Sequence, residues 1–180
     1  MRSATILVFG AMLLLSSQAF ALGDNTSTDT APPTPSCKKG EVLKEVVKDG
    51  KKMKICVKAQ SGILPDEELY QQGRLLAKAG QYDWAVEVLS LVQNQNDPRV
   101  LNYLGYSNRK AGRLEIGISY YRKALAINPN FVLAREYLGE GYVAAGRSDL
   151  AQAELGEIEK RCGKTCEEYT DLAAAIAAAK

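Results

Sequence analysis

Residues 101–125 read LNYLGYSNRKAGRLEIGISYYRKAL, and two further stretches, LYQQGRLLAKAGQYDWAVEVL from residue 69 and REYLGEGYVAAGRSDLAQAEL from residue 135, share its layout. Gly73, Gly105 and Gly139 align in one column, and Gly80, Gly112 and Gly146 in a second, seven residues on. Ala85, Gly117 and Ala151 make a third. The spacing between units is 32 and then 34 residues, a self-similarity that marks an array of supersecondary units. Apolar residues such as Leu101 and Leu104 recur at helical spacing around the first glycine, whose small size lets two helices approach closely. The second glycine follows Lys78-Ala79, Lys110-Ala111 and Ala144-Ala145, where a helix end needs a residue that tolerates left-handed φ. Helix, glycine turn, helix is therefore the predicted unit. Pro98 and Pro129 fall at the junctions between units, where a helix start loses little from a missing N–H.

These columns resemble the tetratricopeptide repeat (TPR) family. The resemblance rests on Gly73, Gly80 and Ala85 in the first unit and on Leu104, Gly105, Gly112, Tyr121, Ala124 and Pro129 in the second. In the third it rests on Leu138, Gly139, Tyr142, Gly146 and Ala151. It covers residues 66–161, divided as 66–97, 98–129 and 130–161, and implies an all-α helix-turn-helix solenoid. Three positions depart from the family pattern. Gln72 stands where a large apolar residue is usual, Gly117 where a small alanine is usual, and Arg135 where stronger members carry an aromatic. After the third repeat, Thr165 before Cys166, Glu167 and Glu168 reads as a capping box. It opens a capping helix over residues 165–180, with Tyr169, Leu172 and Ile176 on the face that covers the apolar end of the solenoid.

Ahead of the repeats, residues 37–58 contain EVLKEVVK, then Asp49-Gly50, then KKMKICVK: two β-prone runs around a dipeptide suited to a two-residue turn. With Asp49 and Gly50 as the turn, Val46 faces Met53 and Val42 faces Val57. Eight lysines against three acids give this segment a local charge of +5. An isolated hairpin is marginal in water, so it needs a staple or a docking partner. Cysteine supplies the staple. The four cysteines, Cys37, Cys56, Cys162 and Cys166, form an even set, and pairing each within its own local element joins Cys37 to Cys56 and Cys162 to Cys166. The simple register sets Cys56 opposite Leu43, so Lys38-Lys39-Gly40 must bend the chain back for the first bond. A four-cysteine zinc site would want two closely spaced pairs, and a redox pair would want C-x-x-C; neither spacing is present.

Residues 1–21, MRSATILVFGAMLLLSSQAFA, have a basic start, an apolar run and a small-x-small ending, the pattern of a cleavable signal peptide. Residues 22–36 carry three prolines and almost no apolar side chain and read as a disordered linker. Export to a bacterial periplasm is the expectation, in line with two disulfides.

Composition narrows function. The 180 residues hold 23 Lys+Arg against 21 Asp+Glu, so no overall field draws in nucleic acid. Histidine is absent, which removes imidazole catalysis and every His-containing metal site. Phosphate loops, nucleophile elbows and metal motifs are missing too, so no catalytic residue, metal or cofactor is expected. The TPR resemblance instead implies a concave partner-binding groove lined by the first helix of each repeat. Carried over by position, that groove receives Tyr70 and Arg74 from repeat one, Asn102, Tyr106 and Arg109 from repeat two, and Glu136 and Glu140 from repeat three. The Lys and Asn pattern with which some family members clamp a C-terminal carboxylate is not present, because acids fill those columns of repeat three. The expected role is a non-enzymatic periplasmic adaptor for a protein, a peptide of mixed charge or a folded partner, with the basic hairpin as an accessory contact or N-terminal cap, or alternatively as a weak contact with an anionic envelope surface. A peptide-binding assembly factor or holdase is the alternative, and a thiol-disulfide enzyme using Cys162 and Cys166 a third. No oligomeric state is implied.

Overall fold

A computed structural model describes residues 37–179; the expected signal peptide, 1–21, and linker, 22–36, lie outside the described residues, as does Lys180. Two strands, β1 (Glu41–Lys48) and β2 (Lys51–Lys58), precede seven helices. The helices are α1 (Asp66–Lys78), α2 (Tyr82–Leu89), α3 (Pro98–Lys110), α4 (Leu114–Ile127), α5 (Val132–Ala144), α6 (Ser148–Cys162) and α7 (Glu167–Ala178). The expected class holds: a helix-turn-helix solenoid with a terminal helix, preceded by a disulfide-stapled hairpin.

The hairpin turn has φ of 51° at Asp49 and 74° at Gly50, the two positive values that match the twist of the flanking strands. The register pairs Val46 with Met53 and Val42 with Val57, and sets Leu43 opposite Cys56. The backward bend is made at Gly40, whose φ of 85° lets the Glu41 N–H donate to the Lys38 carbonyl at 3.0 Å. Cys37 thereby reaches Cys56, with Cα atoms 5.5 Å apart. The base of the hairpin docks on the repeats: Val42, 1% exposed, joins one core with Leu69, Trp84 and Val88. The Trp84 Nε1–H donates to the Glu41 carbonyl at 3.2 Å.

Within each repeat the two helices meet through the same device. The Gly80, Gly112 and Gly146 turns have φ of 76°, 85° and 69°. In each, the N–H after the glycine donates back across the turn, as Arg113 does to the Asn108 carbonyl at 2.9 Å, satisfying carbonyls that the helix end would leave unpaired. The first glycine column is a contact. A methyl group on Gly105 would lie 2.7 Å from the Tyr121 ring, and one on Gly73 would lie 2.5 Å from Leu89 Cγ. Gly117 faces Gly105 across the same crossing, where an added Cβ would sit 2.9 Å from the Gly105 carbonyl, so even alanine is too large for this repeat.

Two local expectations are corrected. Pro98 opens α3 after the Asp97 cap, but Pro129 precedes no helix directly; it follows the end of α4, and its carbonyl receives the Arg135 and Arg161 guanidinium groups. At the last corner the cap of α7 is Cys166 and no side chain caps the helix, so the Thr165 capping box does not form. The reason is covalent: Cys166 is bonded to Cys162 around Gly163, whose φ is 80°, and that bond sets the entry of α7. Leu172, fully buried, then fills the Gly139 position from α7, where the earlier repeats use a residue of their own second helix.

Candidate functional site

Curvature follows from which helices touch. The first helices of successive repeats pack on one another, α1 on α3 and α3 on α5, whereas α2 and α4, or α4 and α6, make marginal contact at most. The first-helix side is therefore the inner, concave side. Its most continuous feature is aromatic. Ring centroids step from Tyr70 to Tyr103 at 6.0 Å, to Tyr106 at 6.1 Å, to Tyr137 at 5.2 Å and to Tyr121 at 6.1 Å, crossing all three repeats. Tyr82 joins from the side, 6.3 Å from Tyr106. Such tilted pairs lie in the range where ring quadrupoles attract.

Cations cover this belt. Arg99 stands 4.6 Å over the Tyr70 ring, and Lys78 lies 5.4 Å from the Tyr106 centroid and donates to the Tyr137 hydroxyl at 3.1 Å. Lys78 thus reaches from the first repeat to the third. Arg109 approaches Tyr106 and Tyr137 at 5.9 and 5.8 Å, donates to the Tyr121 hydroxyl, and forms an ion pair with Glu140. Burial raises the phenol pKa values of Tyr70, Tyr106, Tyr121 and Tyr137, so all four remain neutral hydrogen-bonding groups under ordinary conditions.

The seven residues carried over from the family pattern divide into two sets. Tyr106, Arg74, Arg109 and Glu140 are partly exposed. Tyr70 is buried at 8% exposure, sandwiched between Tyr103 and Arg99. Asn102 is fully buried, and neither its amide oxygen nor its nitrogen has a hydrogen-bond partner among the described residues. Glu136 is 5% exposed, against the expectation of an open groove wall, because α7 packs onto α5. Burial, with the negative charges of Glu140 and of Asp171, Glu168 and Glu167 on α7, pushes its carboxyl up to about 8. Reasoning by column missed Lys78, Arg99, Tyr103 and Tyr137. Lys78 and Lys110 do share a column one residue before the Ala-Gly turn, which is the signal available in the sequence.

The departures from the family pattern have structural causes. Gln72 hydrogen-bonds the edge of β1 with both ends of its amide: its oxygen accepts from the Leu43 N–H at 2.7 Å and its nitrogen donates to the Leu43 carbonyl at 2.6 Å. An apolar residue could not satisfy that strand edge. Arg135 donates to the Pro129 carbonyl and pairs with Glu154 at 2.8 Å, tying α5 to α6 where an aromatic would only pack. All four cysteines are held in disulfides, so the two Cys-Glu clusters around them offer no thiolate to a metal. A separate hollow of about 500 Å³ between α3 and α4, lined by Leu101, Tyr120, Lys123 and Ile127 among others, lies away from the aromatic belt.

The family profile of the tetratricopeptide repeat matches residues 98–131, the unit containing Gly105, Gly112 and Pro129. Residues 98–131 are therefore a tetratricopeptide repeat. Solved TPR structures share its fold. MamA from Desulfovibrio magneticus RS-1 is 26% identical with a TM-score of 0.50; the match covers 52% of this chain and 54% of MamA, so the chain spans about half that protein's length. The Yersinia enterocolitica type III secretion chaperone SycD, in complex with a peptide of the translocator YopD, is 20% identical with a TM-score of 0.55, over 66% of this chain and 93% of SycD. The first TPR of Spaghetti (RPAP3), bound to the HSP90 peptide SRMEEVD, is 17% identical with a TM-score of 0.57, over 63% of this chain and 91% of that one. No curated protein matches the chain.

Proposed function

We propose that this TPR protein is a non-enzymatic adaptor of the bacterial periplasm whose concave groove binds an extended segment of a protein partner. The observation that carries the reading is the tyrosine belt, which runs unbroken across three repeats; most of its rings are buried, and its accessible part is Tyr106 with the exposed cations of Lys78 and Arg99 along the inner face. Tyrosine and arginine are the side chains that most often concentrate binding energy at interfaces. Neighbours of the same fold hold peptides, among them SycD with its YopD peptide and the RPAP3 repeat with its HSP90 peptide. The signal-like N-terminus and the two disulfides support the oxidising compartment.

Site-specific photo-crosslinking in cells from position 106, with position 147 as the control, tests the proposal. Arg147 sits on an exposed turn and pairs with Glu115 away from the belt. One dominant adduct from 106 and none from 147 is the expected result. Many weak adducts from 106 would instead identify a holdase for unfolded envelope proteins, a reading favoured by the same belt because aromatic faces accept varied sequences.

The hairpin offers a second contact. Val47, Met53 and Ile55 are exposed at 69%, 43% and 38% among its lysines. That composition suits an anionic envelope surface, and binding through it falls as salt rises while groove variants leave it unchanged. Sedimentation with anionic vesicles at low and high salt reads this directly.

A further inference from the structure

Glu136 enters none of the ion pairs or side-chain hydrogen bonds among the described residues, although it is 5% exposed. Its neighbour one turn on, Glu140, is claimed by Arg109, which is itself occupied by the Tyr121 hydroxyl. Glu167, Glu168 and Asp171 of α7 stand close enough to act on the Glu136 carboxyl, and none of them is paired with a cation among the described residues. The basic residues nearest in sequence are committed elsewhere: Arg135 to Glu154, Arg161 to Glu157 and Lys164 to Glu159. A buried carboxylate with no counter-charge is unfavourable, and the whole cluster lacks only a cation.

The opposite end of the groove has the reverse character. Arg74, Lys78 and Lys110 line repeats one and two without an acidic partner among the described residues. The groove therefore runs from basic to acidic along the direction of the repeats.

We propose that its acidic end, between α5 and α7, is a subsite for a lysine or arginine side chain of the bound partner segment, with Glu136 as the buried counter-charge and Glu168 and Asp171 at the rim. This rests on the groove being the partner-binding surface. The surroundings favour an organic cation over a metal ion. Elsewhere along the same inner face Lys78 and Arg109 already lie against the Tyr137 ring, so this face holds ammonium and guanidinium groups. Among the described residues no three of these carboxylates bring their oxygens within 4.8 Å of one another, so they do not form the compact oxygen shell that a hard divalent ion needs. Partner segments are accordingly of mixed charge, with acids toward repeats one and two and a base at repeat three.

The test is selection of displayed random dodecapeptides on the oxidised chain, followed by a binding cycle. Selected peptides should share one Lys or Arg position, and replacing that residue by norleucine should weaken binding to the native chain by about tenfold. Against Glu136→Gln, which keeps the side chain's shape, the same replacement should change little; Asp171→Asn should give an intermediate loss. Equal norleucine losses on the native chain and on Glu136→Gln overturn the subsite. So do selected peptides with no basic position that still lose binding on Tyr106→Ala, and in that case the groove reading survives. Competition by calcium at the same residues would overturn the choice of an organic cation. If no selected peptide depends on Tyr106, the groove reading fails, and the subsite with it.

Discussion

Replacing Glu136 with glutamine should make the protein more stable, and by an amount that grows with pH. The carboxyl is raised from 4.5 to about 8, first by burial and then by Glu140, Asp171, Glu168 and Glu167. Arg109 is the cation on the same face, but it is engaged by Glu140. A raised acid binds its proton more tightly in the folded state, so between pH 4.5 and about 8 folding takes up a proton and stability falls as pH rises. The favourable state is complete below the unfolded value and lost by the folded one. At about 1.4 kcal/mol per unit, the full shift sets a ceiling of about 5 kcal/mol, which water at the groove edge and side-chain relaxation reduce to about 2 kcal/mol. Opposing groups act in a different window. Glu157 is held down to about 2 by Lys160 and Arg161, so any pH effect from it lies below 4.5. Urea unfolding followed by helical circular dichroism, at several pH values from about 5 to about 8, should show native stability declining and the Glu136→Gln variant nearly level. Parallel declines would refute the reasoning, because they would place the titrating group elsewhere. A peptide lysine seated beside Glu136 should also flatten the native curve, since it supplies the missing charge.

Other substitutions separate close packing from backbone conformation. Gly105→Ala drives a methyl group into the Tyr121 ring and the Gly117 carbonyl and should cost about 2–3 kcal/mol. Gly112→Ala meets open space and loses only its tolerance of a φ of 85°, so about 1 kcal/mol is expected; chemical denaturation of the two variants ranks them. Gln72→Leu restores the usual family residue yet leaves the Leu43 N–H and carbonyl without their partner, so hydrogen exchange should accelerate at Leu43 and its neighbours while the helices of repeats two and three stay protected. Arg109→Met removes the partner of Glu140 and the bond to Tyr121, both at the centre of the array; a loss of about 3 kcal/mol, relieved when Glu140→Gln is added, would register as coupling in a double-mutant cycle.

The sequence carried those features that depend on a residue's immediate neighbours. Glycine columns announced both the helix ends and the close crossings, because a positive φ and a missing Cβ are properties of one residue. The hairpin register was readable from Asp49-Gly50 for the same reason, and the bend at Gly40 followed from where Cys56 had to lie. What could not be read depends on partners far along the chain. Gln72 looked like a weakened repeat until Leu43, 29 residues earlier, appeared on its amide. Arg135 looked like a lost aromatic until Pro129 and Glu154 closed around it. The groove was legible as a helix face but not as a surface. Carrying family columns forward placed Glu136 on an open wall, whereas its burial is set by how α7 crosses α5. The corner leading into that crossing holds the Cys162–Cys166 bond, and the cap falls at Cys166 instead of Thr165.

The two ends of the array answer one physical requirement in different ways. A solenoid's end helices expose apolar surface that an interior repeat would cover. At the first end the cover is a β-hairpin, and a hairpin brings an unpaired strand edge that Trp84 and Gln72 must satisfy from the helices. At the last end the cover is one more helix, which brings no such edge but does bring the charges of its own first turn, Glu167 and Glu168. Those acids suit the N-terminus of α7, where the helix dipole favours negative charge. They also face Glu136. The favourable interaction of the acids with the helix end and their unfavourable interaction with the groove wall come from the same side chains, so neutralising Glu167 or Glu168 cannot relieve one without weakening the other. A cation arriving from a partner can: it compensates Glu136 and leaves the first turn of α7 as it is. The strain that the terminal helix places on the groove is thus of the sign a basic partner residue relieves, which makes the occupied groove more stable than the empty one at the pH values where Glu136 would otherwise lose its proton.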